Sequence, residues 1–525
     1  MIQISSIKLQ LTESEDVLQV KAAKILRCPV NRILSLRVIR KSLDARDGVM
    51  FVYTVAVEVK GQTALLQHCK DSRVSLYAPL RYTPPAPRPS AKIPPVVVGA
   101  GPAGLFAALL LAQAGQHPIL LERGKSVAQR QADVARFWQS GQLDLNSNVQ
   151  FGLGGAGAFS DGKLNTGTRD IRHSYIMEQL VTFGAPESIL TDAKPHIGTD
   201  RLHITLEKME QYLRQQGVDL RFGHRLCRII SQDGHLTSLQ VDGPQGTYLL
   251  PCQHCILALG HSARDTVETL YRQGVVMEAK PFAVGVRIEH SQADINLVQY
   301  KDCASFPGLP PTSYKLSCHL SDGRGAFSFC VCPGGQVVAA ASEENRVVTN
   351  GMSTYARDGD NINGAFLIGV TPEDFGRDPL DGFRFQRQLE DAAFSLGGGG
   401  YRAPCQRVAD FLAHRATVSP GRILPSYRPG VTYGDLHDCL PAFLTSAMEE
   451  ALPMLEKKLH GYASPDALMT AVESRSSSPV RIPRDETYQC NIRGLYPCGE
   501  GAGYAGGILS AAADGMRCAE HILHS

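Results

Sequence analysis

The stretch PPVVVGAGPAGLFAALLLAQAGQHPILLERG, residues 94–124, constrains the fold more than any other part of the chain. Val96, Val97 and Val98 form a short β-branched run of the kind a buried parallel strand uses, and Gly99 turns the chain sharply at its end. Gly101 lacks a Cβ, so an anionic pyrophosphate can approach the backbone where Pro102 and Ala103 open the next helix. Gly104 lets that helix pack close to the strand. The run HPILLE then supplies a second strand, with Glu122 at its carboxyl end and Arg123 after it. The spacing predicts a βαβ dinucleotide site in which Glu122 binds a ribose hydroxyl pair and Arg130, on the following helix, reaches the pyrophosphate. A carboxylate at Glu122 repels a 2′-phosphate, so the site suits FAD or NAD better than NADP.

With 525 residues the chain has room for roughly two to four domains. Fifty-three Lys and Arg oppose 51 Asp and Glu, which leaves no global field for stable nucleic-acid or membrane binding. The amino terminus lacks the pattern of a signal peptide, and no apolar run approaches the roughly 18 residues of a membrane span, so a cytoplasmic protein is expected. The 14 cysteines follow no disulfide framework. The pairs Cys252/Cys255 and Cys330/Cys332 read as core residues, the second pair on one face of a strand. No metal-ligating set is read.

The fold class expected is α/β: a Rossmann-like nucleotide fold, an inserted mixed α+β substrate or cap domain, and a small N-terminal α/β domain. The last occupies residues 1–82 and carries a basic side through Arg27, Arg32, Arg37, Arg40, Lys41 and Arg46. A proline-rich linker spans 83–95. The nucleotide domain is assembled from 96–170, 215–270 and 485–525, and the cap from 171–214 and 271–484. After the first βαβ unit, a glycine-rich loop brings Gly155, Ser160, Asp161 and Lys163 to a ligand, and a return strand ends at Gly260. In the middle region Asn350, Ser353, Tyr355, Arg357 and Tyr401 lie in loops whose spacing specifies no reaction. Near the end, GLYPCGEGAGYAGGILSAAADG places Gly499 and Glu500 at a strand terminus and Gly506, Gly507 and Ile508 at the start of a helix.

Together, the stretches Gly99–Glu122 and Gly499–Asp514 resemble FAD proteins of the glutathione reductase superfamily. That resemblance implies that the terminal acidic residue, here Glu500 where most members have Asp, contacts a ribityl hydroxyl and that the last helix aims its amino end at the flavin pyrimidine. Over nearly its full length the chain is similar to the bacterial FAD-dependent dehydrogenase family. FGLGGAGAFSDGKLNTGTRD, KPFAVGVRIEH, FSFCVCPGG, VTNGMS, ESRSSSPVRIPRD and GEGAGYAGGILSAAADG carry the match. It implies non-covalent FAD and does not supply a substrate.

The reaction expected is hydride transfer at the flavin with a small organic substrate, NADH or NADPH being a candidate external reductant and another protein a candidate redox partner. There is no second GxGxxG in a βαβ context and no CxxxxC after the first helix, which excludes a built-in disulfide reductase arrangement. Alternatives are a flavin hydroxylase, because LALGHSAR faintly resembles DGxxSxxR although it lacks the aspartate and carries His261 after the glycine, and an RNA-directed flavoenzyme or flavin-bearing binding module using the basic N-terminal domain. Lys163, His261, His290, Tyr355 and Arg481 have side chains suited to proton transfer or charge stabilisation. Arg475, Ser478 and Arg481 are expected near the flavin or a substrate anion.

Overall fold

The computed structural model describes residues 1–524. Val96–Val98 is the middle strand of a five-stranded sheet in the order Leu495–Pro497, Cys255–Leu257, Val96–Val98, Ile119–Glu122, Asp219–Phe222, and every pairing is parallel. Its strands are apolar on both faces because both faces are covered. Val97, Leu120, Ile256 and Tyr496 point into a core shared with the helices Pro102–Gln113 and Ile508–His524. Val96, Val98, Leu121 and Leu257 point the other way, against an antiparallel meander of Arg225–Gln232, His235–Gly243 and Gly246–Pro251. The two helices approach closely through small residues: a Cβ on Gly515 would lie 2.0 Å from the carbonyl oxygen of Ala103.

Helix Thr199–Gln215 buries Leu202, Leu206, Met209 and Leu213 in this same core, joined by Ile176 and Leu180 of Arg172–Thr182. Residues 171–214, expected with the cap, therefore pack with the nucleotide layer. The physical reason is that their apolar stripes find partners on the helices beside the parallel sheet.

A second sheet has seven strands in the order Ser317–His319, Gly325–Cys332, Asn361–Val370, Phe282–Ser291, Leu468–Glu473, Ala403–Arg407, Val431–Tyr433. Only the last pair is parallel. Helices Asp381–Leu396 and Ala442–Glu456 bury Phe385, Leu389, Leu444, Met448 and Leu452 against it. The expected pairing of Cys330 with Cys332 on one face fails here. The register shifts between Phe329 and Cys332, Cys330 takes a φ of 41°, and the bulge leaves Cys330 exposed while Cys332 is buried.

At the amino end four antiparallel strands, ordered Ile33–Asp44, Met50–Val59, Ile2–Gln10, Val74–Leu76, bury Ile2, Ile4, Val55 and Val57 beneath helix Val17–Leu26. Lys41 exchanges backbone hydrogen bonds with Thr191 and Ala193, which ties this sheet to the nucleotide layer. The architecture is thus mixed α/β, with a Rossmann-like parallel layer and additional domains. No helix among the described residues is long and apolar enough to cross a membrane.

Candidate functional site

The glycine turn is closed by the absence of side chains. Gly99 has a φ of 102°, and a Cβ on it would lie 2.3 Å from the carbonyl oxygen of Ala258. A Cβ on Gly104 would lie 1.8 Å from the oxygen of Gly99. The turn feeds the helix that starts at Pro102, whose ring suits the first helical position and leaves the amides of Ala103 and Gly104 without intrahelical acceptors. The glycine-rich loop lies directly over this point: Gly154 donates its N–H to the oxygen of Ala100, and a Cβ on Gly155 would stand 3.1 Å from the Cα of Gly101. Two residues later Gly157 meets Ile508, the first residue of the closing helix, at a 3.4 Å separation from a Cβ built on the glycine. Gly507, at a φ of 86°, and Gly260, at 71°, have open space beside them. Gly101, Gly155, Gly157 and Gly507 therefore line a side-chain-free track joining two helix amino termini, which is the shape and polarity a dinucleotide pyrophosphate requires.

Glu122 is buried at the end of its strand, and its carboxylate accepts N–H bonds from Ala100 (2.8 Å), Gly124 (2.8 Å) and Gly152 (2.9 Å). Three amides leave about one lone-pair direction for a ribose hydroxyl. Arg123 turns away to pair with both oxygens of Asp265, at 2.9 and 3.1 Å, and lies over the ring of Phe151. Arg130 is not aimed at a pyrophosphate. Its buried guanidinium donates to the carbonyls of Asn148, Val149, Leu153 and Gly155 at 2.8 to 2.9 Å, so it fixes the loop that carries Gly152 to Gly157. Ser160 is likewise occupied locally, donating to Gly157 and accepting from Gly162.

Beyond the loop, Asp161 is buried and holds two cations, Lys163 at 3.2 Å and Arg357 at 2.6 Å, besides a hydrogen bond from Ser353. Burial alone would raise its carboxyl pKa, but Lys163 and Arg357 hold it below the ordinary value. Lys163 Nζ is buried with no hydrogen-bond partner other than that ion pair. Nearby in the second sheet Arg287 reaches Glu473 at 3.1 Å, the backbone oxygen of Cys330 at 3.0 Å, and Asn363. Arg287 Nε and Asn363 Nδ2 are buried without partners. Burial pushes the Glu473 carboxyl up, against the pull of Arg287.

At the opposite side of the track, Gly499 donates to Asp514, which is held bidentately by Arg484. Glu500 is half-buried; desolvation pushes its carboxyl up to about 7, with Lys280 opposing. Arg481 is exposed and lies 4.7 Å over the ring of Tyr504. Ser478 is occupied by the carbonyls of Val480 and Gly501.

Several sequence candidates have structural positions instead. Burial and the cations Arg475 and Arg264 push His261 down to about 3, which keeps it a neutral imidazole near pH 7. His290 bonds the oxygen of Tyr462 at 2.7 Å, and desolvation pushes it down to about 4. Tyr355 stacks on His196, with its amide held by Asp200, and Tyr401 packs edge-on against Phe137. Arg475 is committed to Glu390 (3.0 Å), Ser262 and Ser342. Arg264 grips the same Glu390 at 2.7 and 2.9 Å. Sequence reading met Arg264 only as the last residue of LALGHSAR and missed Arg287, Glu390, Glu473 and Asn363. The available signal for Arg287 was a charge inside the apolar run FAVGVRIEH; Glu390 sits on an ordinary amphipathic helix and offered none.

A strand–glycine turn–helix unit, a cradle free of side chains and two converging helix termini define a dinucleotide-binding flavoprotein. The chain belongs to a family of FAD-dependent proteins: residues 92–141 match the FAD binding domain, residues 281–476 match the FAD-dependent protein, C-terminal domain-like model, and residues 1–58 match a domain of unknown function. An uncharacterized protein of Clostridium beijerinckii is 45% identical over 529 residues, covering 99% of this chain and 98% of that one. Among solved structures, a variant of the E. coli quinol fumarate reductase FrdA is 12% identical with a TM-score of 0.37, covering 83% of this chain and 70% of that one. A flavoprotein/dehydrogenase from Cytophaga hutchinsonii is 11% identical with a TM-score of 0.36, covering 82% and 77%. Likenesses this slight carry no argument about chemistry.

Proposed function

We propose that the protein is an FAD-dependent oxidoreductase, a dehydrogenase or reductase of the glutathione reductase superfamily, acting on a small organic substrate held between the parallel layer and the seven-stranded sheet. The observation that carries this reading is the Asp161 cluster. One buried carboxylate faces two cations, Lys163 and Arg357, at the seam where the glycine-rich loop meets the second sheet. The cluster has net positive charge, and Lys163 has donors to spare for a substrate oxygen or carboxylate.

FAD, when bound, supplies hydride chemistry. Gly101, Ala103 and Gly104 would offer amides to its pyrophosphate, Gly155 would allow close approach, and Glu122 would give its remaining lone pair to the ribose. Glu500 and the amides at Gly507 and Ile508 would face the flavin end, where a helix amino terminus favours developing negative charge. Arg357 holds Asp161 in place, and Asp161 in turn aims Lys163. NADH or NADPH is the external reductant in this reading, and the cytoplasm its compartment.

Anaerobic titration of the yellow holoprotein with NADH and then NADPH tests it. The expected outcome is bleaching of the oxidised flavin band by one of them, and recovery on adding an oxidised organic substrate without oxygen. Recovery that requires oxygen, with organic substrate consumed in step with it, would replace this reading by a monooxygenase.

A further inference from the structure

Away from the dinucleotide track, three segments of the second domain converge on one point: the second residue after helix Val408–Leu412, the short turn Leu436–Asp438 and helix Ala442–Glu456. They bring together His414, His437 and Glu449, whose ligand atoms all lie within 4.8 Å of one another. Glu449 Oε1 stands 2.8 Å from Nε2 of His437 and 3.2 Å from Nε2 of His414. The two imidazoles stack at a centroid distance of 4.6 Å, with the buried Phe411 ring against the other side of His437 at 4.5 Å. Asp435 Oδ1 accepts from both the backbone N–H of His437 and its Nδ1, at 3.0 and 2.6 Å.

We propose that His414, His437 and Glu449 bind one divalent transition-metal cation, zinc by preference, with Asp435 as the residue that positions His437. Two imidazole nitrogens and one carboxylate form a ligand set that zinc accepts. Donors around a tetrahedral zinc with bonds of about 2.0–2.1 Å stand roughly 3.3 Å apart; the two contacts to Glu449, at 2.8 and 3.2 Å, open by half an ångström or less to admit it, while the exposed His414 ring turns out of its stack to aim its nitrogen at the same ion. A carboxylate on Nδ1 is the outer partner that fixes a ligating imidazole with Nε2 towards the metal. His414 is 65% exposed at its side chain, which gives the ion access from solvent and leaves a coordination position for water. The ion would staple helix Ala442–Glu456 to the Asp435–Asp438 turn, a structural task separate from flavin chemistry.

Full-length protein, stripped with a chelator and dialysed against metal-free buffer, is titrated with Zn²⁺ by calorimetry and with Co²⁺ by visible absorption. One equivalent is expected to bind, with cobalt giving tetrahedral ligand-field bands and zinc raising the unfolding temperature. His414→Ala, at an exposed position, is expected to fold normally and lose about 100-fold in affinity, and Asp435→Asn about 10-fold or more. His460→Ala, at an exposed histidine paired only with Glu456, should change nothing. Absence of micromolar binding, or binding that survives His414→Ala or falls equally in His460→Ala, would overturn the proposal and leave a hydrogen-bonded cluster.

Discussion

Glu500 shows how one side chain can report on a whole cleft. Sequence spacing placed it at the strand end, but its environment follows from the fold, which buries it and brings Lys280, just ahead of strand Phe282–Ser291, near enough to act on its charge. Its pKa is raised from 4.5 to about 7, so the folded apoprotein binds a proton there that the unfolded chain releases. Stability from this group is fully present below pH 4.5 and is lost as pH rises through about 7. The full shift would correspond to about 3 kcal/mol, and screening of a half-buried group reduces this to about 1–2 kcal/mol. Urea titrations of apoprotein between these pH values are expected to show that decline, and Glu500→Gln to flatten it; an unchanged slope in the variant would assign the effect elsewhere. Lys163 makes a second prediction, one that rests on the proposed substrate site. Lys163→Gln should keep FAD and lower kcat/KM by about 10²–10³-fold, the usual cost of removing one charge-stabilising donor. Stopped-flow flavin reduction and oxidation would separate the half-reaction affected, and an unaltered rate in both would remove Lys163 from the site.

At the scale of elements, the glycine turn was legible and its clamp was not. Gly99 and Gly104 are demanded by backbone geometry, so the amino-acid types alone carry the information: a Cβ on Gly99 would lie 2.3 Å from the oxygen of Ala258, and one on Gly104 collides with the oxygen of Gly99 at 1.8 Å. Gly104→Ala must therefore shift the helix away from the strand, and the purified variant is expected to lose FAD on gel filtration where the parent retains it. Arg130 is different, because its partners are carbonyls at 148–155 and a carbonyl leaves no mark in sequence. Its position on helix Val127–Ser140 is also compatible with reaching a phosphate, which is why spacing suggested that role. Arg130→Met would strand four acceptors, with an expected loss on the order of 3–5 kcal/mol. Limited proteolysis should then cut near 148–157 first. A resistant loop in a stable variant would mean that the carbonyls had found other donors. The bulge at Cys330 was illegible for a related reason, since strand alternation assumes an uninterrupted ladder.

For the whole molecule, the decisive contact is the buried ion network between the layers. Sequence reading divided the chain into a nucleotide fold and a cap; the structure holds a parallel sheet and a seven-stranded sheet, with residues 171–214 packed on the former. That reading could not see that Arg264, beyond strand Cys255–Leu257, and Arg475, in the segment returning from the second sheet, share one carboxylate on helix Asp381–Leu396. Such long-range pairing has no sequence period. Glu390 is fully buried, and although burial raises its carboxyl pKa, the two guanidiniums drive it well below the ordinary range. Glu343 offers Arg264 a second carboxylate at 2.6 Å but stands 3.9 Å from Arg475. Glu390→Gln keeps the volume and removes the charge, leaving two buried cations to repel each other across a neutral amide. A destabilisation of roughly 3–5 kcal/mol is expected, because a broken buried pair costs the uncompensated charge. The double variant Glu390→Leu/Arg475→Met removes one cation with the carboxylate and leaves Arg264 with Glu343, so it should recover part of that loss. Equilibrium unfolding of the three proteins, followed by flavin fluorescence and by circular dichroism, distinguishes a joint between layers from a local contact. If the network couples the layers, the two signals coincide in the parent and separate in Glu390→Gln, the nucleotide layer and the second sheet then unfolding at different urea concentrations. Coincident transitions in the variant would mean that the apolar contacts at the seam suffice to hold the layers together.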